Sequence, residues 1–360
     1  LTLQPNRSRV SGYAKEASSH EHAKEHKPDM TIETHAYGRA GLLGNPSDGY
    51  NGKTVSIIVK NFGATVRLDA ARRLSIVAGA QDINEFDSID DLAERVDLHG
   101  YYGGDRLVKA AIKRFHAHCA ASGARLGSEN FAISYATTIP RQVGLAGSSA
   151  IITATFRALM EFYSVAIPLH ILPNLVLEAE RDELGINAGL QDRVVQAYEG
   201  CVYMDFNRAL LESRGYGRYE PIDPAQLPGL YIAFKTELGK VSGKVLGDIR
   251  TRYDAGDREV IETLDEIAAL AEAGKEALAA RDGAALSDLT NKNFDLRCRI
   301  MDISESNREL VRTARDCGAS AKFAGSGGSI IGVCADDETY SRLEIALGKV
   351  GAQVVRPIVA

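Results

Sequence analysis

Pro140-Arg-Gln-Val-Gly-Leu-Ala-Gly-Ser-Ser-Ala-Ile-Ile152 joins a run with strand character, Phe131–Tyr135, to a run with helical character, Ser148–Tyr163. Gly144 and Gly147 let the backbone wrap inward at that junction. Ser148 or Ser149 can cap the helix and leave its first N–H groups aimed at an anion. A serine hydroxyl there also reaches a magnesium ion bridging phosphates. The stretch is not a Walker loop, because no Lys precedes the serines. The spacing alone fits an ordinary capped helix equally well.

Two further glycine-rich segments flank it. Ala36-Tyr-Gly-Arg-Ala-Gly-Leu-Leu-Gly-Asn-Pro-Ser-Asp-Gly-Tyr-Asn-Gly-Lys53 leaves a strand for a polar turn region. Arg39 and Asp48 within it suit recognition of a phosphate and of sugar hydroxyls, although a hairpin connection with surface charges has the same composition. Lys322-Phe-Ala-Gly-Ser-Gly-Gly-Ser-Ile-Ile331 precedes a strand and does not fit the GxGxxG dinucleotide fingerprint. Taken alone it reads as a turn. A fourth segment, Glu178-Ala-Glu-Arg-Asp-Glu-Leu-Gly-Ile-Asn-Ala-Gly-Leu-Gln-Asp192, is acidic. Glu180 falls near the end of a helical run, where a carboxylate can hold magnesium. Asp192 follows a glycine turn, where a carboxylate can accept a hydroxyl proton.

The chain is long enough for two domains: 360 residues, 45% hydrophobic and 25% charged, without disulfide support. Its net charge of −6 argues against a dedicated nucleic-acid binder. No apolar run approaches the ~18 residues of a membrane span. The five cysteines are odd in number, widely spaced and without CxxC, which fits the cytosol better than a disulfide or zinc framework. Residues 1–29 are polar and lack apolar periodicity; they read as a disordered extension or a start-site artefact.

Strands are expected at Ile32–Tyr37, Thr54–Val59, Thr65–Asp69, Leu74–Ala78, Cys201–Phe206, Leu230–Phe234, Ser329–Cys334 and Gln353–Arg356. Helices are expected at 105–121, Leu172–Leu184 and 338–349, and across 256–316 with breaks at Gly274 and Gly283. Residues 213–229, rich in Gly, Pro and Tyr, read as a linker. Strands mixed with helices, without strict alternation, predict an α+β fold.

In their order and separation, the four segments resemble the GHMP kinase superfamily, named for galactokinase, homoserine kinase, mevalonate kinase and phosphomevalonate kinase. The central Pro-x-x-x-Gly-Leu-x-Gly-Ser-Ser-Ala motif is the specific mark, and together the segments span most of 36–330. The resemblance implies a two-domain α+β fold with the active site in the cleft between the domains. An N-terminal ribosomal-protein-S5-like domain would occupy 30–215, and a C-terminal ferredoxin-like domain 216–360. It implies ATP and Mg²⁺ as cofactors. The backbone of Gly144, Leu145, Ala146, Gly147, Ser148 and Ser149 would hold the ATP phosphates, together with Gly325 and Gly327. Ser148 and Glu180 would ligate the metal. Asp192 would be the catalytic base or orienting carboxylate, and Arg39 would stabilise the transferring group.

Within the superfamily the likeness is greatest to the glucuronokinase branch found in plants. Asn45-Pro-Ser-Asp48 replaces the Gly-Glu-His usual in galactokinases, and Ser242-Gly-Lys-Val, with Arg250 and Arg252 after it, points the same way. Ala146 departs from the serine expected there. This implies phosphorylation of the anomeric hydroxyl of a sugar acid, D-glucuronate. Asp48, Asn45, Ser47 and Arg141 would bind the substrate. Arg141, Lys53 and Lys244 are the candidate cations for its carboxylate, a bidentate Arg being the best geometric match. The partners expected are ATP and a small sugar, with neither nucleic acid nor membrane. A kinase of a neutral sugar (galactose or heptose type), a decarboxylase of the same superfamily and a non-catalytic nucleotide or sugar sensor are the competing readings. The presence of Arg39, Ser148, Glu180 and Asp192 together weighs against the sensor.

Overall fold

The computed structural model describes residues 30–78, 82, 87–90, 103–235 and 243–360, with only the backbone of 243–248. The expectations for residues 1–29 and for the Lys244 side chain lie outside the described residues. Among the described residues no helix is long and apolar enough to cross a membrane.

The first sheet is organised by β2 (Lys53–Ala71), a single 19-residue strand where two separate strands were predicted. No turn forms at Asn61–Gly63. The extra residues are taken up as a register shift against β1 (Thr31–Leu43), where Tyr37 pairs with Gly63 and Gly38 with Val59. One edge of β2 carries β1 along its whole length. The other edge is shared: its first half pairs with β5 (Cys201–Asp205), its second with β4 (Asn130–Thr137). The short β3 (Ser75–Ile76) and β6 (Arg218–Ile222) complete the six strands. β6 lies inside the stretch read as a linker and pairs antiparallel with β5. The first sheet therefore extends past residue 215, and the turn to the second sheet comes after Ile222. Composition marked the turn residues of this stretch but not the pairing of β6, which is a long-range contact.

Of the helices α1 (Asp105–Ser122), α2 (Gly147–Phe162) and α3 (Leu172–Arg181), α2 packs on this sheet, and α1 and α3 pack on α2 and on each other. α2 is apolar on nearly every side, burying Ile151, Ile152, Phe156 and Leu159 against β1, β2 and the neighbouring helices. α4 (Gln191–Tyr198), which the sequence did not announce as a helix, and α5 (Arg208–Arg214) follow.

The second sheet contains β7 (Leu230–Phe234), β8 (Lys322–Phe323), β9 (Ser329–Val333) and β10 (Gln353–Val355), in the antiparallel order β10-β7-β9-β8. That fourth-first-third-second order is the ferredoxin-like arrangement expected of it. Its helices are α6 (Gly243–Asp254), α7 (Arg258–Ala279), α8 (Gly283–Ile300), α9 (Glu305–Asp316) and α10 (Asp337–Lys349). Gly274 does not interrupt α7. A Cβ there would meet Leu43 Cδ1 at 2.1 Å, so the glycine makes room for β1 to reach the helix. Gly283 starts α8 as predicted, behind the capping carboxylate of Asp282.

One face of the second sheet shares a core with the first sheet, while its other face, with Tyr231, Ala233, Phe323 and Ile330, packs in a core of its own. Leu230, Ile232, Phe234, Ala271, Leu286 and Ile331 pack in one apolar cluster with Leu42, Val55, Ile57 and Val66. β1 crosses the boundary directly, the Gly41 N–H donating to the Ala324 carbonyl at 2.7 Å. The second and third glycine segments meet backbone to backbone at the same seam. A Cβ on Gly325 would lie 2.3 Å from the Gly144 oxygen, and one on Gly144 would lie 2.8 Å from the Gly327 oxygen. Gly325→Ala is expected to force this junction apart and lower stability by about 1–3 kcal/mol, the usual range for overpacking. Thermal unfolding checks this, and an unchanged Tm would show that the seam tolerates the methyl group.

Candidate active site

All four segments singled out in the sequence line one cavity of about 290 Å³ at this seam. Arg39, Asn45, Pro46, Asp48, Gly49 and Tyr50 come from the first, and Gly144, Ala146 and Ser148 from the second. Ile186 to Gly189 and Gln191 to Arg193 come from the acidic segment, and Gly325 and Ser326 from the third glycine segment. Arg250 of α6 and Arg297 of α8 complete the wall.

The floor is a chain of alternating charges. Arg39, on β1 and buried, donates through Nε and Nη2 to the two oxygens of Asp192 at 2.5 and 2.7 Å. This is the bidentate geometry that suits a guanidinium best. Its remaining Nη1 donates to the Gly144 carbonyl, and its backbone N–H to Leu145 O at 3.1 Å. Arg193 stands between the two carboxylates, with Nη1 3.3 Å from Asp192 Oδ2 and Nε 2.6 Å from Glu180 Oε2. The other oxygen of Glu180 accepts from the Ser148 hydroxyl at 2.7 Å. Asp192 sits in the first turn of α4, where the helix end favours a negative charge. Burial pushes its carboxyl up, but Arg39 and Arg193 outweigh that and hold it below the usual range.

The second wall is the start of α2. Ala146 is its N-cap residue, in the left-handed region at φ 59°, and no side chain caps the helix. Capping by Ser148 or Ser149 was expected. Instead the Ser148 hydroxyl turns to Glu180, and the buried Ser149 hydroxyl donates back to Ala146 O at 3.2 Å. The helix start therefore presents backbone N–H groups and a positive dipole end without a competing side chain. Gln196, one turn after Asp192, donates to both Tyr37 O and Ala146 O at 2.9 Å, so α4 holds the phosphate loop against β1.

Asp48 faces the cavity beside Gly189, where a Cβ would approach its Oδ2 to 2.2 Å; only glycine leaves it room. Burial, then the neighbouring Asp192 charge, raise the Asp48 carboxyl to about 6.

The remaining sequence-predicted residues divide. Asn45 lines the cavity, but its side-chain oxygen accepts from the buried Lys322 ammonium. Gly147, Ser149, Leu145 and Gly327 lie behind the lining residues, as does Glu180. Ser47 is turned away: its hydroxyl donates to Lys53 O at 2.9 Å and closes the turn over 47–50. Arg141 is exposed and outside the cavity lining, and Lys53 pairs with Glu272 at 2.6 Å. Ser47 is committed to turn closure and Lys53 to a carboxylate partner, and Arg141 lies outside the lining, so the cavity walls do not include these three residues. Sequence reasoning missed Arg193, Gln191, Gln196, Tyr50 and Arg297 as site residues. Arg193 and Gln191 adjoin Asp192, so their neighbourhood was a signal; Arg297 lies in a helix with no motif around it.

Residues 106–200 match the family model for the GHMP kinases N terminal domain, and residues 275–353 that for GHMP kinases C terminal. The chain is 42% identical over 318 residues to Glucuronokinase 1 of Arabidopsis thaliana, covering 87% of each chain. It is 43% identical over 324 residues to Probable glucuronokinase 2 of the same plant, covering 88% of each. Among solved structures, a Lin0012 protein from Listeria innocua superposes with a TM-score of 0.74 at 15% identity, covering 92% of this chain and 98% of that one, a likeness of fold.

The raised Asp48 carboxyl has a consequence for stability. The folded protein holds this proton more tightly than the unfolded chain, so the charge penalises folding above about pH 6 and the penalty disappears as pH falls below about 4. Asp48→Asn is expected to raise stability at pH 8 by up to about 3 kcal/mol. Thermal unfolding of both proteins from pH 4 to 8 checks it, and a gap that does not widen with pH contradicts the assignment.

Proposed function

The chain belongs to the GHMP kinase family, and we propose that it transfers the γ-phosphoryl group of ATP to the anomeric hydroxyl of a sugar acid, D-glucuronate, giving D-glucuronate 1-phosphate and ADP. The observation that carries this reading is the bidentate Arg39–Asp192 pair facing the uncapped start of α2 across one cavity. The substrate follows from the 42% identity with Glucuronokinase 1 along most of both chains.

Phosphoryl transfer passes through a loose transition state that asks for positioning and charge stabilisation more than covalent help. The first-turn amides of α2 and the Gly144–Ser149 backbone would hold the triphosphate. Asp192 would orient the sugar hydroxyl and receive its proton as the new O–P bond forms and the bond to ADP breaks. A carboxylate held ionised by two arginines is a weak base, so the proton is taken late, when the hydroxyl has become acidic by bonding to phosphorus. Arg39 would remain within reach of the charge that develops on the phosphoryl oxygens.

Magnesium is implied by the family, and the residues fit it. Ser148 lines the cavity and its hydroxyl donates to Glu180 Oε1 at 2.7 Å, so two hard oxygen donors of the kind magnesium takes stand together there. These two residues would hold the ion, which when bound supplies charge neutralisation on the phosphates. Arg193 fixes the far oxygen of Glu180 and so its orientation. The five free cysteines suit a reducing compartment, and the cytosol is the simplest location.

A kinase assay with ATP and magnesium across D-glucuronate, D-galacturonate, D-galactose and a heptose tests the reading. Turnover is expected with D-glucuronate and is lost on chelation of the metal. Preference for galactose or a heptose would assign a neutral-sugar kinase, and inactivity on every sugar would favour a sensor. Asp192→Asn is expected to lower kcat by about 10²–10⁴-fold; undiminished turnover would remove Asp192 from the mechanism.

A further inference from the structure

We infer that Arg297 anchors the carboxylate of the acceptor and thereby selects a sugar acid over a neutral sugar; this rests on the sugar-acid reading above. Four arginines line the cavity, and three have acidic partners. Arg39 is paired with Asp192 and Arg193 with Glu180. Arg250 is half exposed, lies 3.6 Å from Asp254 and stacks over Tyr50. Arg297 is 1% exposed and differs from all of them. Its Nη1 donates to Gly325 O at 3.0 Å, its Nε lies 3.4 Å from Met301 Sδ, and its plane stands 5.0 Å over the Phe323 ring. Every one of these partners is neutral. No carboxylate lies within ion-pair distance of it among the described residues. The nearby Lys322 is likewise buried with neutral partners only: Gly41 O, Asn45 Oδ1 and Phe323 O.

A buried guanidinium with no paired carboxylate, and with Asp48 acting on it only from beyond ion-pair distance, is unfavourable unless an anion completes it. Burial accordingly pulls Arg297 down to about 10 and Lys322 well below the ordinary lysine value. Arg297 thus gives the cavity wall a cation without a paired carboxylate, and either the acceptor carboxylate or the ATP phosphates would complete it. Placement favours the acceptor. Asn293 lies one helical turn before Arg297 on α8 and clasps the acceptor loop, accepting from the Gly44 N–H at 2.8 Å and donating to Asn45 O at 3.3 Å. Arg297 thus belongs to the helix face that holds the Gly44–Asn45 turn. The ATP phosphates have their own donors at the start of α2. A planar carboxylate also matches the fork of a guanidinium.

The test uses the full chain and compares wild type, Arg297→Met, Arg297→Lys and Arg250→Met, with Tm confirming that each is folded. Methionine keeps the volume of the arginine stem and removes the uncompensated charge, so Arg297→Met is expected to be no less stable than wild type. KM for D-glucuronate is expected to rise by about 10- to 100-fold in Arg297→Met, and less in Arg297→Lys. KM for ATP is expected to stay within about threefold, and the preference for D-glucuronate over D-galactose to collapse. D-Glucuronate is expected to raise the Tm of wild type but not of Arg297→Met, whereas ATP with magnesium raises both. A loss that falls on ATP instead would assign Arg297 to the phosphates and overturn the inference. Collapse of the preference in Arg250→Met with Arg297→Met unchanged would overturn it in favour of Arg250. If Arg297→Met fails to fold, the Lys variant decides: an unchanged ratio of D-glucuronate to ATP affinity overturns the inference. Wild type that ignores every sugar acid would fail at the first step, and would sink the sugar-acid reading together with this one.

Discussion

The two-pronged ion pair between Arg39 and Asp192 ties the site together. It joins β1 to the first turn of α4, elements separated by 153 positions in sequence. Burying two charges is unfavourable unless the geometry is good and the remaining donors and acceptors are satisfied. Here they are: the guanidinium also reaches Gly144 O, and the carboxylate also faces Arg193. The pair thereby sets three things at once. It keeps a buried carboxylate ionised, it fixes the entrance to the phosphate loop, and it starts the Arg193–Glu180–Ser148 chain that ends at the first turn of α2.

The glycines serve the same geometry through space. Gly144 and Gly325 allow two loops from different sheets to touch along their backbones, and Gly189 leaves a gap that Asp48 fills. The shared apolar cluster behind them makes this contact rigid, because residues of both sheets would have to separate for the seam to open. A cavity placed at such a seam takes its walls from four distant stretches, so small adjustments of one sheet against the other are felt by all of them. Charge is distributed unevenly along it. Asp192 is locked as an anion, Asp48 holds its proton up to about pH 6, and Arg297 carries a charge that no carboxylate meets at ion-pair distance among the described residues.

Much of the architecture could be read before any coordinates. The strand–glycine–helix transition at 140–152 is local, and its spacing carried the family resemblance. So did the order of the other three segments, and the family matches and the plant relatives agree with both. The readings that failed share one feature. β2 was split in two, β6 was taken for a linker, and Gly274 was taken for a helix break, yet each is settled by a partner in another element: the preceding strands β1 and β5, and the distant Leu43. Among site residues, Ser47, Arg141 and Lys53 were chosen by residue type and position, and none of them lines the cavity.

The motifs in this chain were enough to name the chemistry, because a loop that grips phosphate must place glycines and small polar residues at set intervals, and such intervals survive in one dimension. Which cation stands ready for the acceptor could not be found that way. Arginines are frequent and interchangeable on paper; what sets Arg297 apart is burial and, among the described residues, the lack of a carboxylate at ion-pair distance, properties created when α8 closes over the Gly44–Asn45 turn. Local spacing specifies backbone shape, whereas the electrostatic identity of a side chain is a sum over neighbours that only folding brings together.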